Sequence, residues 1–201
     1  LHGGEVARMA NAQEEQSVPE REEYIYYPYT PEIPETGAAN LKNRSHSITA
    51  EVVIPAGGAE GVLLAHGGLT AGYSFYVQDN KLHYVHNFLG LAQYYVHSNV
   101  DVPKGECTLR FELEKTGEHQ GKGKLFINGD PVGEAEIERT VPVCFGINEG
   151  LTCGYDNGLP VIKDYEVPFT FTGKLKRVVV IPHGEVEVDH EKRLEKEMMK
   201  D

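Results

Sequence analysis

From residue 49 to residue 182 the chain alternates apolar and polar positions in short runs, and each run closes on a turn signal. The plainest case is ECTLRFELEK, which sets Cys107, Leu109, Phe111 and Leu113 against Thr108, Arg110, Glu112 and Glu114. A period of two puts these sets on opposite faces of a β-strand. TAEVVIP stops at Pro55 and Gly57-Gly58, and GVLLAHGG at its own glycine pair. GYSFYVQ, LHYVHNF and AQYYVHSN, the first two joined by Asp79-Asn80, predict a three-stranded meander. KLFINGDPVGEAEI carries Asn128-Gly129, a strong hairpin signal. VPVCFGIN, GLTCGYD, PFTFTG and KLKRVVVIP bring the expectation to about eleven to thirteen strands. Antiparallel strands of this kind each bury a face, so the predicted fold is all-β, a jelly-roll β-sandwich rather than a closed barrel.

The flanks read differently. Residues 1 to about 22 are polar, with weak helical spacing of Val6, Met9 and Ala10. In YIYYPYTPEIPETG, Pro28, Pro31 and Pro34 deny a helix, while the run Tyr24 to Tyr29 predicts an extended strap lying against a surface. Residues 186–201 carry Glu and Lys at helical spacings, with Leu194 and Met198 on one face. That segment reads as a terminal helix, either solvated or docked on a neighbouring chain. The domain plan is therefore a helix and strap over 1–48, a sandwich over 49–182 and a charged helix over 183–201.

Composition narrows the partners. Across 201 residues, 40% are hydrophobic and 25% charged, an ordinary globular balance. A formal charge of −12 speaks against nucleic acid and against an anionic membrane surface. No apolar run approaches the ~20 residues of a membrane span. The opening residues show no signal peptide, and a chain beginning at Leu1 is expected to be cut from something longer or processed. Cys107, Cys144 and Cys153 form an odd set without C-x-x-C spacing, which suggests buried free thiols, a Cys144–Cys153 disulfide being the alternative.

Catalytic motifs are not found. RSHS cannot be a Ser–His site, because neighbouring side chains on a strand diverge. There is no G-x-S-x-G elbow, and GKGK lacks the spacing of a phosphate loop. His83 and His86 form H-x-x-H, yet on a strand they face opposite ways and cannot share an ion. His97 could join His83 only if the meander's register pairs them.

That meander offers a better candidate. Ser74, Tyr76, Gln78, His83, Val85, Asn87, Gln93, Tyr95 and His97 fall on one face, polar and aromatic together. Tyr73, Phe75, Val77, Leu82, Tyr84, Phe88, Tyr94 and Val96 fall on the other, which reads as core. The first face suits stacking of a sugar ring and bonding of its hydroxyls. It equally suits a wet protein contact or plain solvent.

The stretches YIYYPYTPEIPETGAANLKNRSHSITAEV, GYSFYVQDNKLHYVHNFLG, GKGKLFINGDPVGEAEIERTVP and GYDNGLPVIKDYEVPFTFTGKLKRVVV resemble the carboxy-terminal domain of large bacterial arylsulfatases. The resemblance runs over residues 24 to 181. It implies a concanavalin A-like sandwich that follows an α/β sulfatase domain, in the bacterial cytoplasm or periplasm. The family's machinery, a formylglycine made within C-x-P-x-R beside a calcium, has no counterpart among these cysteines. Tyr73, His66, Tyr155 and Asn157 depart from the family's habits.

These readings make the chain a non-catalytic accessory domain of a sulfate-ester hydrolase, packing on a sulfatase catalytic domain or another protein partner. The alternative is a stand-alone lectin-like module. Its glycan residues would be Tyr76, His83, Asn87, Tyr95 and His97. Asp156, Asn157 and Asp164 belong to a loop facing a partner or cleft, read as a structured corner in preference to a calcium site. No cofactor is expected. A homo-oligomer through the carboxy-terminal helix is a further expectation.

Overall fold

The computed structural model describes residues 21–142, 144–145 and 149–184. The helices expected near both ends lie outside the described residues. Within them eleven strands form two antiparallel sheets, β1 Tyr24–Tyr26, β2 His46–Ile54, β3 Gly61–Gly68, β4 Ala71–Gln78, β5 Lys81–Phe88, β6 Ala92–Asp101, β7 Gly105–Gly117, β8 Gln120–Ile127, β9 Asp130–Ile137, β10 Leu151–Cys153 and β11 Lys174–Pro182. The first sheet has the order β1-β11-β2-β7-β8-β9 and the second β10-β3-β4-β5-β6.

Period-two alternation does what the sequence predicts. On β7, Cys107, Leu109, Phe111 and Leu113 are buried, while Glu112 and Arg110 are not. Phe111 lies face to face with Tyr84 of β5, ring centroids 3.4 Å apart, so the two sheets meet through stacked aromatic rings. Tyr73, Phe75, Val77, Leu82, Tyr84 and Val96 all join this inter-sheet core, as their face predicts. Asp79-Asn80 and Asn128-Gly129 each take two successive positive φ angles, the backbone a two-residue hairpin needs. VPVCFGIN gives no strand at its described positions, and PFTFTG contributes only a bridge at Thr170. Pro142 and Pro168, which cannot donate to a ladder, fall in those two stretches.

The strap stitches the sheets together. Its β1 pairs with β11 across Val178–Val180 at the edge of the first sheet. Farther on, Tyr29 N–H donates to Cys153 O at 3.0 Å, and Ile33 and Leu151 exchange backbone bonds at 2.9 and 2.7 Å. One extended segment thus covers the edges of both sheets, and its prolines sit where a missing donor costs little. Tyr26 is buried, and its hydroxyl accepts the Ala39 N–H at 2.8 Å.

Glu35 then anchors the strap's end, in a short 3₁₀ turn. Its carboxylate takes Lys42 Nζ and lies 2.8 Å from Nε2 of the buried His66 on β3. Burial alone would raise its pKa, but His66 and then Lys42 outweigh burial and hold it at about 2. All three cysteines are free, so no disulfide joins Cys144 to Cys153. Among the described residues no helix is long and apolar enough to cross a membrane.

Because the folded pKa of Glu35 lies below the unfolded value of 4.5, its contribution to stability is present above that value. It should be lost as pH falls from about 4.5 to about 2. Urea unfolding of the wild type across this window should therefore show a decline, of order 3 kcal/mol, that is absent from the Glu35→Gln variant.

Candidate functional site

The outer face of the second sheet is only half polar. Val62, Ala65, Tyr76 and Val85 point away from the inter-sheet core and would stand bare in water. The segment 154–169, which contains GYDNGLPVIKDY, lies over them. It brings Val161, Ile162 and Tyr165 into a second apolar cluster with those four residues, flanked by Tyr95, Val167 and Phe169. Gly154 opens the segment at φ +81°, where a β-carbon would lie 2.9 Å from Pro28 Cβ.

Two polar groups pin this cover. Asp156 is buried and accepts the Tyr165 hydroxyl at 2.7 Å, along with backbone N–H groups of Gly158, Val161 and Asn157. Burial still pushes its pKa up against these donors. The same Tyr165 oxygen lies 3.0 Å from Ser74 Oγ on β4, which ties the loop to the sheet. Asn87 of β5 is the second pin. Its Nδ2 donates toward Gly68 O, Leu69 O and Val161 O at 3.2, 3.0 and 2.9 Å, while Oδ1 accepts Gly90 N–H at 3.0 Å. One amide therefore joins two sheet turns to the cover.

The cover settles the fate of the predicted residues. Tyr76 is 2% exposed and Asn87 0%, so both act within the fold and neither can reach a sugar. That corrects two of the five glycan positions, and the reason is the apolar pair Val161-Ile162 in a loop that otherwise looks polar. Asp156 turns inward, whereas Asn157 and Asp164 remain exposed. With its oxygens facing N–H and O–H donors, Asp156 has no role for a cation. Among the described residues, no three His, Cys, Asp or Glu side chains assemble as a metal ligand set.

His83, Tyr95 and His97 stay accessible, where the cover ends and β6 begins. The register pairs His83 directly with His97. Their Nδ1 atoms are 2.7 Å apart, and His83 Nε2 lies 3.1 Å from the Gln78 carbonyl. Each imidazole rests on a tyrosine. His83 stacks on Tyr76 at 4.9 Å and His97 on Tyr95 at 5.5 Å, with ring planes within 20°. The Tyr95 hydroxyl donates to Gln93 Oε1 at 2.8 Å. Its pKa is raised, by burial first and then by the Asp164 carboxylate. Burial pushes the His83 pKa down, the Gln78 contact opposes this, and His97 adds to it.

Gln93 and Asp164 thus complete a corner of aromatic faces, imidazoles, an amide and a carboxylate. Alternation with Tyr95 and His97 already put Gln93 on the candidate face. Asp164 comes from the far end of the cover, which periodicity does not place. Two clefts of about 340 Å³ lie elsewhere. One, lined by Gly57, Gly58, Glu60, Asp79, Asn80 and Thr172, offers no aromatic ring. The other, beside His46, Glu112, Lys124 and His183, opens on the first sheet.

No protein-family model matches this chain, and no curated protein does. Solved structures do. The CBM40 of a Ruminococcus gnavus IT-sialidase superposes with a TM-score of 0.55 at 16% identity, covering 85% of this chain and 94% of that one. The leech intramolecular trans-sialidase, solved with 2,7-anhydro-Neu5Ac, gives 0.54 at 11% identity over 87% of this chain and 27% of its own. Domains LG4-5 of the mouse laminin α1 chain give 0.50 at 16% over 83% and 47%. Likeness at such identities is a likeness of fold, and the fold is a concanavalin A-like β-sandwich.

Replacing Tyr165 by Phe should leave Asp156 one donor short and cost about 1–3 kcal/mol. Hydrogen exchange should quicken over residues 156–169 while β4 and β5 keep their protection. Equal quickening of the whole second sheet would show that the cover has no separate anchoring.

Proposed function

We propose that the chain is a non-catalytic glycan-binding module that holds its sugar against Tyr95 and His97. The observation carrying this reading is the accessible corner itself. Two flat rings are fixed by strand backbone, and Gln93 and Asp164 supply donors and acceptors around them. Sugar rings present C–H faces to aromatic planes and hydroxyls to such groups. The shared fold of the CBM40 and the trans-sialidase lends support, since the first is a carbohydrate-binding module and the second is bound to a sialic-acid derivative. The overall charge of −12 favours neutral glycans over polysulfated ones.

An array of neutral and acidic glycans probed with the chain should yield specific neutral binders, confirmed by calorimetry. Tyr95→Ala and His97→Ala should each weaken that binding, by about tenfold for the loss of one stacked ring. Binding unchanged in the Tyr95→Ala/His97→Ala double variant, or no binding to any glycan, would end the proposal.

A second reading keeps the chain as an accessory domain packed on a sulfatase catalytic domain. It is favoured by Ile25, Tyr27 and Tyr29 of the strap, 40%, 56% and 56% exposed respectively. Large apolar side chains so placed commonly mark a contact face. An arylsulfatase catalytic domain supplied in trans should then co-elute with the chain on a sizing column. The Tyr27→Ser/Tyr29→Ser variant should abolish co-elution. If the wild type never co-elutes, this second reading fails while the glycan reading stands.

A further inference from the structure

Two imidazole nitrogens 2.7 Å apart need something electropositive between them. The Nδ1 atoms of His83 and His97 stand in that relation. His83 Nε2 points at the Gln78 carbonyl from 3.1 Å, and a carbonyl only accepts, so the His83 proton sits on Nε2. Its Nδ1 is then a lone pair. The hydrogen between the rings belongs to His97 Nδ1, and the outer nitrogen of His97 is bare.

This is also how a metal-binding histidine is usually prepared. The far nitrogen donates to a backbone carbonyl, which fixes the tautomer and aims the near nitrogen at the ion. Further constraints already hold the pair in place. Cross-strand register sets the spacing of the two side chains, and stacking on Tyr76 and Tyr95 fixes the ring planes. Tyr76 is itself buried beneath the cover, so its ring is a rigid floor for His83.

We propose that His83 and His97 form a two-histidine clip for a borderline divalent transition metal, Zn²⁺ or Cu²⁺, bound through both Nδ1 atoms. The ion takes the place of the hydrogen between the rings. Coordination shifts the His97 proton from Nδ1 to Nε2, so both histidines bind as neutral imidazoles. Bond lengths near 2.0–2.1 Å in a tetrahedral arrangement separate the two nitrogens by about 3.3 Å. A small rotation of the exposed His97 side chain opens the gap. Imidazole nitrogens suit zinc and copper, whereas calcium and magnesium want oxygen. The remaining coordination positions go to water or to a ligand atom, since no third protein group joins the set among the described residues. The net negative charge of the chain draws cations to it in general, and the paired nitrogens select among them.

The test is calorimetric titration of the untagged chain with ZnCl₂ and, separately, CuSO₄ in a non-chelating buffer at pH 7.5, with no glycan present. One ion per chain should bind. His97→Gln, at an exposed position where folding is not at risk, should lose at least tenfold in affinity, as should His83→Gln. In nitrogen-detected NMR, zinc should move the Nδ1 resonances of His83 and His97 and leave His46 and His66 in place. No saturable binding to the wild type would overturn the proposal, as would equal binding by both variants. Glycan array results do not bear on this outcome, so the clip and the sugar site stand or fall separately.

Discussion

The second sheet of this sandwich is apolar on its inner face and half apolar on its outer one, and the rest of the molecule is arranged around that constraint. One face meets the first sheet through Tyr84 and Phe111. The other carries Val62, Ala65, Tyr76 and Val85, which must be roofed at a gain of about 25 cal/mol for each Å² of apolar surface removed from water. The roof is a loop with no regular structure of its own, so its backbone polar groups need partners as well. Asp156 and Asn87 supply them, and each costs little because nearly all its valences are used.

Roofing the middle of the sheet decides where function can be. The cover packs over β3, β4 and β5 and reaches β6, the edge strand of the second sheet, only at Tyr95. Polar groups on the outer face of β4 and β5 are therefore spent on architecture, and those from His83 toward β6 remain open. The open corner owes its rigidity to the closed part, since Tyr76 serves both as core beneath Tyr165 and Phe169 and as the floor for His83. A binding surface with one side fixed in a core loses little entropy on taking a ligand.

Much of this was legible in the residues. Alternation gave the strands and the core face, and Asp79-Asn80 and Asn128-Gly129 marked their hairpins, because these signals are local. The strap was readable as surface-bound from its prolines and tyrosines, and its pairing with β11 and β10 agrees. What was not legible came from long range. GYDNGLPVIKDY reads as a structured corner, but nothing local shows that Val161 and Ile162 fold back onto Tyr76 and Val85. Two adjacent buried aliphatics inside a turn-rich loop were the available signal. The two-sheet sandwich expected from the alternation is the one found.

The H-x-x-H run shows how much the pleat decides. His83 and His86 are three residues apart and of one type, yet the strand sends them to opposite faces. His86 goes into the inter-sheet core, where its Nε2 accepts the Val141 N–H at 3.1 Å. Burial holds its pKa at about 3, so it stays neutral as a structural acceptor. His83 goes outward, into register with His97, where its free nitrogen faces another imidazole. A one-residue slip of β5 against β6 would reverse these fates, placing His83 in the core and breaking the pair. The burial of Leu82 and Tyr84 forbids that slip, so the hydrophobic core, rather than any feature of the histidines, puts these nitrogens together.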